Sequence, residues 1–153
     1  NTIQFDKSEP MSKISRFLFG NWPKVERNSF KSNNESSVAS AKYIDFLGRS
    51  HERIVSVKKR AWTINDKISG FTNIAILRWR LCKSDWTLNK NKLIGKRANI
   101  DIYVSNKAVV DIKLVKGFES IYYNDLQEID VLEITLDKPC VVRTLINLVN
   151  VPK

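Results

Sequence analysis

The dominant period of apolar and polar residues along this chain is two, the rhythm of a strand whose faces differ in their surroundings. Ile3 and Phe5 alternate with Gln4 and Asp6, so the sequence opens inside a strand. A strand cut at its first residue points to a processed chain or a fragment of something longer. Residues 13–19 alternate imperfectly through Ile14, Phe17 and Phe19 and stop at Gly20-Asn21. The Asn- and Ser-dense stretch 28–37 predicts an exposed loop. Residues 38–47 fit either period: Val38, Ala41, Ile44 and Leu47 recur as on a helix, while Tyr43, Asp45 and Leu47 suit an extended run. Ile54-Val55-Ser56-Val57 and Trp62-Thr63-Ile64 predict two strands joined through Lys58-Lys59-Arg60, with Asn65-Asp66 and Ser69-Gly70 available to turn the chain.

Farther on, Leu77, Trp79 and Leu81 share one face of a strand and Arg78, Arg80 and Cys82 the other. Ile100, Ile102 and Val104 alternate with Asn99, Asp101 and Tyr103, and the short 105–108 connection predicts a hairpin with 109–115. Gly117 is expected to break that run. Val131–Leu136 and Cys140–Val149 supply the last strands on either side of Asp137-Lys138-Pro139. The sum is about eight to eleven short strands and no long capped helix, which predicts an all-β, antiparallel, multi-strand β-sandwich. Two packed sheets follow because a wide sheet must cover its apolar face. Residues 1–153 are expected to form one domain or fragment, with 28–37 the most prominent internal break.

Composition narrows the partners more than the fold. A hydrophobic fraction of 42% excludes a disordered chain, and charged or amide residues interrupt every apolar run before it could cross a bilayer. A net charge of +10 favours encounters with anionic polymers, nucleic acid and acidic polysaccharide alike. Cys82 and Cys140 could pair or remain small buried groups, and they form no metal motif.

Candidate chemistry is sparse. His51 is the only imidazole, so one copy cannot build a multi-His metal centre; a hydrogen-bonded scaffold role leads over ligand contact or proton transfer. Tyr43, Tyr103, Tyr122 and Tyr123 would need cationic support to act as a base, and packing is the simpler role. Trp22, Trp62, Trp79 and Trp86 could pack or serve as sugar platforms. Arg78 and Arg80 are the candidate substrate-binding pair, because two guanidinium groups on one strand face can engage carboxylate or sulfate. The simpler alternative is a solvated, salt-bridged outer face. No residue is assigned a catalytic or metal-binding role.

Several segments, taken in order, resemble the β region of heparinase II/III-like polysaccharide lyases. They are Asn1-Thr2-Ile3-Gln4-Phe5-Asp6, Phe17-Leu18-Phe19-Gly20 and the His-x-Arg strand His51-Glu52-Arg53-Ile54-Val55. The stretch from Trp62 to Gly70, the strand Leu77-Arg78-Trp79-Arg80-Leu81 and the late Gly117-Phe118-Glu119-Ser120-Ile121-Tyr122-Tyr123 complete the set. Arg80 stands where related strands often carry His, and Cys82 where they often carry Pro. The resemblance implies a carboxyl-terminal β-sandwich portion packed against an upstream helical toroid. It implies β-elimination on uronate-containing acidic glycans, with the principal Tyr and His groups before Asn1. It further implies no cofactor in this chain, any metal being held mainly by the upstream portion, and a periplasmic or extracellular setting. Two other readings stand beside it: a basic polyanion or nucleic-acid binding domain, and a structural β domain without catalysis.

Overall fold

The period of two becomes strands almost throughout. The structure, a computed structural model, describes residues 1–9 and 11–149. Fourteen strands are formed among them: β1 (Ile3–Phe5), β2 (Ser12–Lys13), β3 (Phe19–Gly20), β4 (Lys24–Ser32), β5 (Ser36–Ile44), β6 (Ser50–Lys58) and β7 (Ala61–Ser69), then β8 (Ala75–Arg80), β9 (Thr87–Asn89), β10 (Lys92–Ile94), β11 (Ala98–Val104), β12 (Val109–Ser120), β13 (Leu126–Leu136) and β14 (Cys140–Leu148). A four-stranded sheet runs in the order β1-β8-β13-β12, and an eight-stranded sheet in the order β4-β5-β6-β7-β14-β11-β10-β9. The small pair β2-β3 stands apart. All the pairings are antiparallel.

The core lies between the two large sheets. Ile3, Phe5, Leu77, Leu132, Ile134 and Leu136 come from the narrow sheet, and Ile68, Leu93, Ile100, Ile102 and Val142 from the wide one. Each such side chain contributes about 1.5–3 kcal/mol by leaving water. The narrow sheet is half as wide as the sheet it covers, so one flank is left open. From β4 and β5 only Tyr43 packs on the core, and Phe30 on β4 is 70% exposed.

Four local expectations are corrected by long-range pairing. Residues 28–35 are exposed and 36–37 half-buried, and the segment is not a loop: 28–32 continue β4, 36–37 begin β5, and the turn is confined to 33–35. Asn33 Oδ1 accepts the N–H groups of Glu35 (3.0 Å) and Ser36 (2.8 Å), and serines pair across the ladder, Ser29 with Ser40 at 2.8 Å and Ser32 with Ser37 at 2.7 Å. Asn65-Asp66 does not turn the chain, because β7 runs through it and Asp66 is fully buried. The 98–104 and 109–120 strands are not a hairpin: β11 pairs with β14 and β12 with β13, so 105–108 carries the chain from one sheet to the other. Asn106 (φ 59°) and Lys107 (φ 48°) adopt left-handed backbone there and Ala108 is buried at the crossing. Gly117 does not break β12. It sits opposite Ile129, where a Cβ would come within 2.7 Å of Val131 Cγ2, so the glycine serves close packing within the sheet.

The ambiguous 38–47 stretch resolves as strand through Ile44, and the Lys58-Lys59-Arg60 connection is a tight turn with Lys59 at φ 52°. Two ties close the lower end. Asp45 accepts Arg49 Nε at 2.6 Å, and Arg49 Nη1 donates to the Phe5 carbonyl (3.1 Å) and Ser8 Oγ (2.7 Å). Asp6 accepts the N–H groups of Thr72, Asn73 and Ile74.

Candidate functional site

On β6, His51 and Arg53 lie two residues apart and share a face. The register sets Asp66 of β7 opposite Arg53. Asp66 Oδ1 accepts from His51 Nε2 and from Arg53 Nε, both at 2.6 Å, and its Oδ2 accepts from Arg53 Nη2 at 3.1 Å. A carboxylate forked by a guanidinium is an acceptor, so His51 Nε2 carries the proton it donates. His51 and Asp66 are buried and Arg53 is partly so; removing Asp66 would leave the guanidinium and the ring N–H without their acceptor. The Arg53 guanidinium also lies 4.5 Å from the centre of the Trp79 ring, across the gap between the sheets, and Arg53 Nη1 donates to the Asn1 carbonyl at 3.1 Å.

Tyr43 meets His51 edge to face at 5.8 Å. Burial and the Asp45 charge push its phenol up to about 12 against partial opposition from Arg49 and Arg53. A tyrosinate is therefore not accessible there near neutrality. The other three tyrosines differ: Tyr103, Tyr122 and Tyr123 are exposed, the last two at the tip between β12 and β13. Among the described residues no three His, Cys, Asp or Glu side chains converge as metal donors. The triad does not fit a metal site of its own, since Asp66 is already held by a cation and a ring N–H.

Arg78 and Arg80 occupy the β8 face opposite Trp79, as alternation predicts, but their settings differ. Arg78 is half-buried, donating from Nε to Glu133 Oε1 at 2.7 Å and from Nη2 to Gln4 Oε1 at 3.0 Å. Arg80 is exposed; its side chain donates to the Phe118 carbonyl and its backbone N–H to Asn1 Oδ1 at 2.7 Å. Arg53 and Arg80 thus flank Asn1, a grouping that sequence spacing does not reveal. The signal available was the His-x-Arg pattern, whose partner Asp66 is found only through the β6–β7 register.

A cleft of about 1180 Å³ opens between the sheets at the upper end. Residues 82–86, leading from β8 to β9, form one wall with Lys83 and Trp86; Lys96 and Arg97 precede β11, and Lys116, Glu128 and Asp130 project from β12 and β13. Lys116 Nζ pairs with Asp130 at 2.9 Å and Glu128 at 3.5 Å, and the hydrogen bond and charge of Asp130 raise its pKa. Cys82 and Cys140 are free thiols, the first exposed on this cleft and the second buried, where burial and Asp137 push it up to about 11.

No protein-family description and no curated protein sequence matches the chain. Solved structures do. Heparinase III, the BT4657 gene product, superposes with a TM-score of 0.76 at 14% identity over 97% of this chain and 24% of its own. A second structure of that protein with methylated lysines gives a TM-score of 0.74 at the same identity, covering 23% of its own chain. Heparan sulfate lyase HepC from Pedobacter heparinus gives 0.72 at 16% identity, covering 99% of this chain and 24% of its own. The chain therefore has the fold of a β domain of these larger lyases and spans about a quarter of their length.

Proposed function

We propose that this chain is the β portion of a lyase acting on uronate-containing acidic polysaccharide by β-elimination, and that its own part is to bind and position the glycan. The observation that carries the reading is the agreement of fold over 97% of the chain with proteins whose names state a heparin or heparan sulfate lyase activity. The site chemistry supports the division of labour. His51 Nε2 is committed to Asp66, and the Tyr43 phenol is held neutral, so neither is poised to take a proton beside a uronate carboxyl. Exposed Arg80 is the better placed of the predicted pair to meet a carboxylate or sulfate, while Arg78 reaches one only by giving up Glu133.

The principal catalytic groups, any metal and a helical domain to pack against belong, in this reading, to a longer polypeptide. The test is to follow the ultraviolet absorbance of unsaturated uronate on an acidic-polysaccharide panel with the isolated chain and with the natural full-length product. Turnover by the longer protein and binding without turnover by the chain is the expected result. Robust turnover by the chain, abolished by a local substitution, overturns it. Nucleic-acid binding is the second reading, favoured by the +10 charge alone.

A further inference from the structure

We infer that the upper cleft is an acidic-saccharide site built on the Trp86 ring, separate from the Arg78/Arg80 face. The inference rests on the acidic-glycan reading and adds to it the place and manner of binding. The ring is fixed on two sides. Its Nε1 donates to the Cys82 carbonyl at 2.9 Å, and Gly95 lies over one face of its six-membered ring, where a Cβ would stand 2.4 Å from Cζ3, 2.6 Å from Cε3 and 2.8 Å from Cη2, which leaves only the rest of the ring for a ligand. The half-buried ring that results lines the cleft. A rigid aromatic face covers the apolar C–H face of a pyranose at little entropic cost.

The polar lining selects the kind of ligand. Lys83, Lys96 and Arg97 take part in no ion pair among the described residues and are free to meet a carboxylate or sulfate. The cleft also presents the Asp85, Glu128 and Asp130 carboxylates, the last two already anchored by Lys116. A sugar needs acceptors for its hydroxyl groups as well as donors for its anionic group, and this wall supplies both. A phosphate chain needs donors throughout and has fewer hydroxyl groups to offer the Asp85, Glu128 and Asp130 acceptors.

Gly95→Val moves the ring without adding or removing charge, and Lys96→Ala/Arg97→Ala removes charge without touching the ring. These variants and Trp86→Ala, with Lys31→Ala on exposed β4 as a control away from both faces, are titrated with a uronate-containing tetrasaccharide, a neutral tetrasaccharide and a short single-stranded RNA at two salt concentrations. Thermal unfolding is recorded alongside, and Cys82 labelling by maleimide reports occupancy of the cleft. The wild-type chain should bind the acidic sugar, which slows Cys82 labelling, while the neutral sugar does not. The double variant should lose at least tenfold in affinity and part of the salt dependence, and Trp86→Ala or Gly95→Val at least fivefold. Binding of the acidic sugar with unchanged affinity in the folded double variant and unchanged Cys82 labelling overturns this site but leaves the glycan reading standing. Failure of the wild-type chain to bind the acidic sugar, or equal protection of Cys82 by RNA, overturns both.

Discussion

Asp66 is fully buried and satisfies both His51 and Arg53, so two partners depend on one carboxylate. Asp66→Ala leaves a guanidinium and an imidazole facing each other between the sheets, and should cost about 3–5 kcal/mol in urea unfolding. Tyr43 behaves in the opposite way. Its buried hydroxyl has no partner among the described residues, so Tyr43→Phe should be neutral or stabilise by about 1 kcal/mol. With the phenol raised from 10.0 to about 12, its contribution is fully present below pH 10 and is lost as pH rises through 12. The Tyr43→Phe variant should therefore lose less stability over that alkaline window, measured by unfolding at stepped pH. The scaffold role of His51 was legible in the sequence because a lone imidazole in a strand has few other uses. Its partner was not, because Asp66 looks like half of a turn until β7 is paired with β6.

Among the elements, the sequence marked the strands better than their partners. Alternation located β6, β8, β11 and β13, and missed β4 for a physical reason. Its flank of the wide sheet lies beyond the narrow one, so no apolar face was required and the composition became that of a loop. The β11–β12 connection failed for a different reason: a short link is compatible with a hairpin or with a crossing between sheets, and only the burial of Ala108 and the pairing of β12 with β13 decide. Gly117 is the test of strand packing. Gly117→Ala drives a methyl against Val131 and should destabilise by about 1–3 kcal/mol, and Val131→Ala in the same chain should recover part of that loss.

Across the molecule, acid stability and charge set the limits within which a ligand can bind. Burial acts to raise the Asp6 carboxyl, but the N–H groups of Asn73, Thr72 and Ile74, with Arg49, outweigh it and hold the pKa below 3.8. A depressed carboxylate contributes stability above its ordinary value that is lost as pH falls through the folded one. Asp6→Ala should thus weaken the fold at neutral pH and flatten its decline below pH 3.8, as chemical unfolding at stepped pH would record. The basic charge of +10 leads to salt-sensitive association with any polyanion, so salt dependence by itself identifies no ligand. Discrimination at constant salt does. The decisive measurement is direct titration of the chain, at one physiological ionic strength, with uronate-containing oligosaccharide and with nucleic acid of matched charge. Saturable binding of the oligosaccharide at least tenfold tighter than the nucleic acid is the predicted result; equal affinity, or preference for the nucleic acid, contradicts the account.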